Sequence, residues 1–222
     1  GTRTAQSASA CGSYVWNGTT YTQSGTYVRN YANANGCPSS DTLYLTINQC
    51  SITLNIKAYL QGYYQGAGQM ISNLYNLGIS TDPSETDTIS VQLWKSDSLM
   101  NAVSSFSHNT ILHSDGTATV SLNPSMLGQS YYIAIKHRNS LETWSSNPIT
   151  LVTSNNYDFT TSANTAFGDG INAPLVNMGD GKYAIYTGDV NQDGGIDLLD
   201  LQQTEIDASN FLYGYNSSDC NG

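Results

Sequence analysis

The chain has 222 residues, 17 acidic side chains against 7 basic, a net charge of −10 and a pI near 4.3. That length carries one large or two smaller domains with cores of their own. Sparse, scattered Lys and Arg exclude nucleic acid, which needs clustered cations to displace counterions, and argue against an anionic membrane surface.

No apolar run reaches the roughly 18 residues of a membrane span, so membrane insertion is not expected. No signal peptide opens the sequence, and Gly1 reads as a processed end or an internal cut. Asp, Asn, Ser, Thr, Gly and Tyr abound, while Glu occurs only at Glu85, Glu142 and Glu205. That vocabulary favours strands and turns over helices. Cys11, Cys37, Cys50 and Cys220 form an even set without C-x-x-C, which reads as disulfides in an oxidising compartment. Cys11 with Cys37 is the preferred pair, leaving Cys50 and Cys220 to pair or stay free; such a loop stabilises by ~3–4 kcal/mol in the chain-entropy model.

Residues 1–10 are small and polar, a linker or a donor strand. Residues 11–49 form a small β module. Ser13-Tyr-Val-Trp16 meets Thr20-Tyr-Thr22 across Asn17-Gly18, the dipeptide of a type I′ hairpin. Thr26–Tyr31 alternates as a strand, Asn33-Ala-Asn-Gly36 turns, and Leu43, Leu45 and Ile47 alternate again. So few residues need a disulfide or a neighbour to hold them.

Residues 50–153 read as an immunoglobulin-like β-sandwich. Ile52–Ile56, Thr88–Trp94, Thr117–Leu122 and Tyr131–Lys136 all alternate with period two, separated by turn clusters such as Ser114-Asp-Gly116. Leu60–Met70 is punctuated by glycine but lacks G-x-G-x-x-G, so it is no phosphate cradle. Residues 154–187 are an extended connecting segment that delivers the chain to residues 188–222.

There the spacing becomes specific. In Asp189-Val-Asn-Gln-Asp-Gly-Gly-Ile-Asp-Leu-Leu-Asp200, oxygen-bearing side chains fall at loop positions 1, 3, 5, 9 and 12, with Gly194 at position 6. Ca²⁺ takes six to eight oxygens, which a chain supplies by coiling around the ion. Asp189, Asn191, Asp193, Asp197 and Asp200 are the expected side-chain ligands, with the Gly195 carbonyl at position 7. Leu198, Leu199, Leu201 and Ile206 give the following helix a mostly one-sided apolar stripe. Asp instead of Glu at position 12, and the strand-like Tyr183–Tyr186 where an entering helix would stand, depart from the EF-hand and resemble a dockerin-type repeat. Asp219-Cys-Asn221, then Gly222, begins a second such loop that the sequence does not complete.

CGSYVWNGTTYTQSGTYVRNYANANGCPSSDTLYLTI resembles a Cys-bounded tandem repeat of very large secreted Bacteroidota proteins. ITLNIKAYLQGYYQGAGQM, KHRNSLETWSSNPI, YDFTTSANTAFG and GDVNQDGGIDLLD, in that order, resemble the C-terminal region of the same proteins. The resemblance implies export by the type IX route and extracellular display on the cell surface. Asp41-Thr-Leu43, Asp87-Thr-Ile89 and Asp97-Ser-Leu99 resemble sites where such bacteria attach O-glycans.

Little reads as catalysis. His137-Arg-Asn-Ser-Leu-Glu142 with Trp144 gathers polar groups, but no G-x-S-x-G elbow accompanies it, and a polar loop after the Tyr131 strand is the plainer reading. No carboxylate pair stands out for glycoside hydrolysis. The sixteen tyrosines suit half-buried strand faces and subunit contacts more than a sugar platform. The expected function is thus a non-catalytic, calcium-stabilised structural or adhesive segment of a surface fibre, self-associating or joined to other domains of one large protein. A carbohydrate-binding accessory module and the non-catalytic tail of a secreted hydrolase are the alternatives.

Overall fold

The computed structural model describes residues 1–48, 51–96 and 106–221, and the fold is all-β. Two compact units result: Gly1–Ser51 with Asn123–Met126, and Ile52–Leu122 with Leu127–Gly222.

The first unit contains β1 (Arg3–Cys11), β2 (Tyr14–Trp16), β3 (Thr19–Tyr21), β4 (Gly25–Ala32) and β5 (Pro38–Asn48). The β2–β3 hairpin turns on Asn17 and Gly18, both at positive φ (51° and 81°), as a type I′ turn requires. Trp16, Leu43 and Leu45 form its buried core, with Ala8, Tyr14, Tyr21, Tyr27 and Ile47 packed around them. The N-terminal decamer forms most of β1, an edge strand parallel to β5 in the order β1-β5-β4. Mostly exposed along its length, β1 is held chiefly by backbone pairing.

That register corrects the preferred disulfide. Cys11 lies opposite Asn48, whereas Cys37 precedes Pro38 at the other end of β5. At ~3.3 Å per residue the two ends of this strand are ~33 Å apart, while a disulfide needs Cα atoms within about 7 Å. Cys11 is disulfide-bonded, and Cys37 and Cys220 are free thiols. Cys50, two residues beyond Asn48 in sequence, lies outside the described residues.

The second unit holds two main sheets. One orders β10 (Phe106–His113), β9 (Glu85–Lys95), β12 (Ser130–His137) and β13 (Ser140–Trp144), with β14 (Ile149–Thr150) also on β12. The other orders β11 (Thr117–Leu122), β6 (Ile52–Lys57) and β15 (Ser154–Asp158). Alternate residues are buried in both: Ile52, Leu54 and Ile56 on β6, Ala118, Val120 and Leu122 on β11, Ile89, Val91 and Leu93 on β9. This is the period-two pattern of a sandwich. β15 runs parallel to β6, whereas immunoglobulin sheets are antiparallel.

Short elements fill the rest: β7 (Tyr64–Gly66) with β8 (Gln69–Met70), α1 (Asn73–Asn76), and β16 (Val176–Asn177) with β17 (Tyr183–Ala184). Residues 154–187 carry β15, a 3-10 turn at Ala163–Thr165 and the β16–β17 pair, and they bury Phe159, Leu175, Ala184 and Ile185, with Ile185 bridging Leu60. The final helix, α2, spans Leu198–Ser209.

Peptide mapping of non-reduced protein is expected to find Cys37 and Cys220 alkylated and Cys11 cross-linked. A Cys11–Cys37 peptide would contradict the β1–β5 register.

Candidate metal centre

Edge strand β13 sets where the acidic loop begins. Leu141 N–H donates to the Tyr186 carbonyl at 3.0 Å, Gly188 N–H donates to the Asn139 carbonyl at 2.7 Å, and Ser140 bridges Thr187. Asp189 therefore leaves the sheet at a fixed point. It is 2% exposed, and its Oδ1 is buried without a hydrogen-bond partner. Burial raises its pKa above the usual carboxylate value; the charges of Asp200 and Asp193 add to the rise, and the backbone amides of Gly194 and Asp193 oppose it.

Asp200 closes the loop from the other end. Its Oδ1 accepts from the amides of Val190 (2.8 Å) and Asn191 (3.1 Å), and its Oδ2 accepts from Asp197 N–H (2.9 Å). Burial opposes the charge on Asp200, but these amides outweigh it and lower the pKa. The Asp197 carboxylate accepts from Leu199 N–H at 2.7 Å, completing a capping box at the start of α2. Between these ends, Asn191 Oδ1 accepts from Asp193 N–H (2.9 Å) and Asp193 Oδ1 accepts from Gly195 N–H (3.0 Å). Gly194, at φ 89°, takes the left-handed turn that a Cβ resists.

Asp189 and Asp200 are thus buried and Gly195 half-buried, while Asn191, Asp193 and Asp197 stand exposed. Among the described residues, no three His, Cys, Asp or Glu side chains converge tightly enough to hold a metal ion. The reason is local: Asp193, Asp197 and Asp200 spend their oxygens on loop amides. The donors still suit a hard cation, because all are oxygens and the buried Asp189 Oδ1 has no hydrogen-bond partner among the described residues.

The stripe expected to seat α2 does not do so. Leu198, Leu199, Leu201 and Ile206 are all exposed, and Asp200 alone on the helix is buried. Carboxylates, not an apolar face, attach this helix: Asp200 to the loop amides and Asp207 to the Ser218 hydroxyl.

Sequence reasoning missed the anchor beneath the loop. Asp87, fully buried, meets Arg138 Nη2 at 3.0 Å and Nε at 3.3 Å, and accepts from the Tyr215 hydroxyl. His137 Nε2 lies 3.3 Å away, close enough for an ion pair though poorly aligned for a hydrogen bond. Burial alone would raise the Asp87 pKa; His137, Tyr215 and Arg138 together hold it well below the carboxylate range. Arg138 stacks 4.4 Å over the Tyr215 ring and also donates to the carbonyls of Asn216 and Asp219. Asn139 Nδ2 donates to the same Asp219 carbonyl at 2.7 Å, and the Tyr63 hydroxyl donates at 3.3 Å. Gly62 completes the seat, since a Cβ there would come within 2.0 Å of the Cys220 carbonyl. Asp219, expected to open a second loop, is therefore held through its backbone.

The polar run around His137 is not a surface loop. His137 Nδ1 lies 3.0 Å from Ser140 Oγ, but its Nε2 makes no hydrogen bond to Asp87, so Ser140, His137 and Asp87 stop short of a nucleophilic triad. Ser140 is 1% exposed, which shuts it from substrate. Glu142 turns elsewhere, to Lys136 Nζ (2.7 Å) and Trp144 Nε1 (2.8 Å). In Asp87-Thr-Ile89 the hydroxyl-bearing Thr88 is half-buried between the buried Asp87 and Ile89, and Asp97-Ser-Leu99 lies outside the described residues.

No protein-family model matches the chain, and no curated protein matches it.

Arg138→Ala leaves the Asp87 charge buried and unpaired, and is expected to lower stability in urea unfolding by about 3–5 kcal/mol. The depressed Asp87 pKa also fixes a pH dependence: its contribution is complete above the unfolded value near ~3.9 and is lost as pH falls below it. Melting temperature should therefore drop steeply below about pH 4, and Asp87→Asn should flatten that acid limb.

Proposed function

We propose that the chain is a non-catalytic extracellular segment, stiffened by one Ca²⁺ in the Asp189–Asp200 loop, that builds a bacterial surface fibre by self-association or by joining neighbouring domains. Asp189, Asn191, Asp193, Asp197 and Asp200, with the Gly195 carbonyl, would hold the ion. The observation that carries the reading is the buried, unpartnered Asp189 Oδ1 inside a loop whose spacing supplies oxygens at every ligand position. Bound calcium supplies positive charge that cancels the repulsion among Asp189, Asp193 and Asp200. An ion bound only by the folded loop adds its binding free energy to folding.

The burial of Ser140 supports a non-catalytic role, since the nearest approach to a nucleophilic set is sealed. The exposed apolar residues of α2 and the outer edge of β1 supply surfaces suited to joining.

Thermal melting in calcium against excess chelator tests the metal. With a Kd of ~10⁻⁴ M, about 10 mM Ca²⁺ adds about 2.7 kcal/mol and raises Tm by about 5–10 °C. Asp189→Ala should abolish that rise, and identical curves with calcium and chelator would refute the site. Electron micrographs of purified protein test assembly: filaments support it, and monodisperse particles at every calcium concentration count against it.

A further inference from the structure

Beside edge strand β13 lies a cleft of about 640 Å³, within the about 300–1,000 Å³ of small-ligand sites. One wall is Glu142 with its strand neighbours, another is the 167–174 loop, and Tyr186, Gly194 and Ile196 close the third side. A second cavity of about 500 Å³ shares Phe167, Gly168, Asn172 and Pro174 with it, so the two lie along one loop. Phe167 is 67% exposed at their common rim.

We propose that this double cleft binds an uncharged polysaccharide chain. An exposed ring between two cavities offers the flat apolar surface on which a sugar's C–H face packs. Around it stand hydrogen-bonding groups that match hydroxyls: the Glu142 carboxylate, the Asp169 carboxylate and the Asn172 amide. These groups are fixed before any ligand arrives. Glu142 is tethered by Lys136 and Trp144, and Trp144 in turn packs on Trp94 with ring centres 5.1 Å apart. Asp169 accepts from the amides of Ile171 (2.8 Å) and Asn172 (2.9 Å), which hold the loop and keep the carboxylate ionised. Such preorganisation lowers the ordering cost of binding.

Charge selects the sugar. The Asp169 carboxylate, on a chain of net charge −10, repels uronates and sulfated glycans and leaves neutral hydroxyl-rich chains, while Glu142, paired with Lys136, serves chiefly as a hydrogen-bond acceptor. The extent of the paired cavities favours several linked residues over a free monosaccharide. Because Gly194 and Ile196 belong to the acidic loop, an ion bound there would also fix one wall; only this coupling rests on the calcium reading.

The test is a titration of the full chain, in calcium, with cellohexaose, xylohexaose and mannohexaose, and with oligogalacturonate as the acidic counterpart, read by calorimetry and tryptophan fluorescence. At least one neutral hexasaccharide should bind, and oligogalacturonate should not. Phe167→Ala and Asn172→Ala, both at exposed positions, should keep the wild-type melting temperature and weaken binding at least about tenfold. No binding of any neutral probe up to about 1 mM, equal binding by Phe167→Ala, or preference for oligogalacturonate overturns the proposal. Binding that depends on Phe167 while calcium leaves both Tm and affinity unchanged upholds the cleft and removes only the ion. A calcium-dependent Tm with no saccharide binding does the reverse.

Discussion

The buried pair of Asp87 and Arg138 is the contact on which the C-terminal part of the second unit depends. Asp87 is on β9 and Arg138 begins the β12–β13 turn, so the pair first fixes that turn against the sheet. Arg138 then uses its remaining donors on the backbone of residues 216 and 219, and Tyr215 closes on Asp87 from the other side. Desolvating two charges costs several kcal/mol each, and only dense hydrogen bonding offsets it. The density is present: Asp87 receives Arg138 twice and Tyr215 once, and Asp219's single carbonyl faces Tyr63, Arg138 and Asn139. Such a hub adds little net stability over an apolar core of equal volume. Its effect is to hold the chain end in place, because another path would forfeit Arg138's bonds to the carbonyls of residues 216 and 219 and Tyr215's bond to Asp87.

The same turn carries the acidic loop. Asn139 bonds Asp219 through its side chain and Gly188 through its carbonyl, so one residue couples the chain end to the point where Asp189 departs. Ser140 adds the bridge to Thr187, and Gln192 Nε2 spans back to the Asp189 carbonyl at 2.7 Å. The loop is thus rigid at position 1 and at position 12, where Asp200 binds three amides, and solvent-exposed between. An ion entering it would find the Asp189 carboxylate in place and would have to draw Asn191, Asp193, Asp197 and Asp200 away from the amides they now bind.

Local signals were legible and distant ones were not. Asn17-Gly18 announced its hairpin because the turn's φ values are a property of two residues. The alternation at Ile52–Ile56 and Thr117–Leu122 announced strands whose inward residues are buried. Parallel partners left no trace: nothing in residues 3–11 indicates β5 as their neighbour, and the misplaced Cys11–Cys37 pair followed from that blindness. At the candidate site, the twelve-residue spacing could be read directly, but the burial of Asp189 depends on β13, some 50 residues earlier in sequence. Tyr63, Asp87, Arg138 and Tyr215 sit at scattered positions without a shared motif, and only the fold brings them together.

The outward face of α2 ties these threads. A twelve-residue helix is marginal in water even with good helix formers, and this one buries a single side chain. Its order therefore rests on the capping box, on Asp200's grip on Val190 and Asn191, and on the Ser218 hydroxyl that donates to Asp207, so the helix is tied to both the loop and the chain end. Whatever strengthens the grip at Asp200 orders the helix, and whatever orders the helix tightens the loop. A cation among these carboxylates and a partner over Leu198, Leu199 and Leu201 would then stabilise the same state from opposite ends, each raising the affinity for the other.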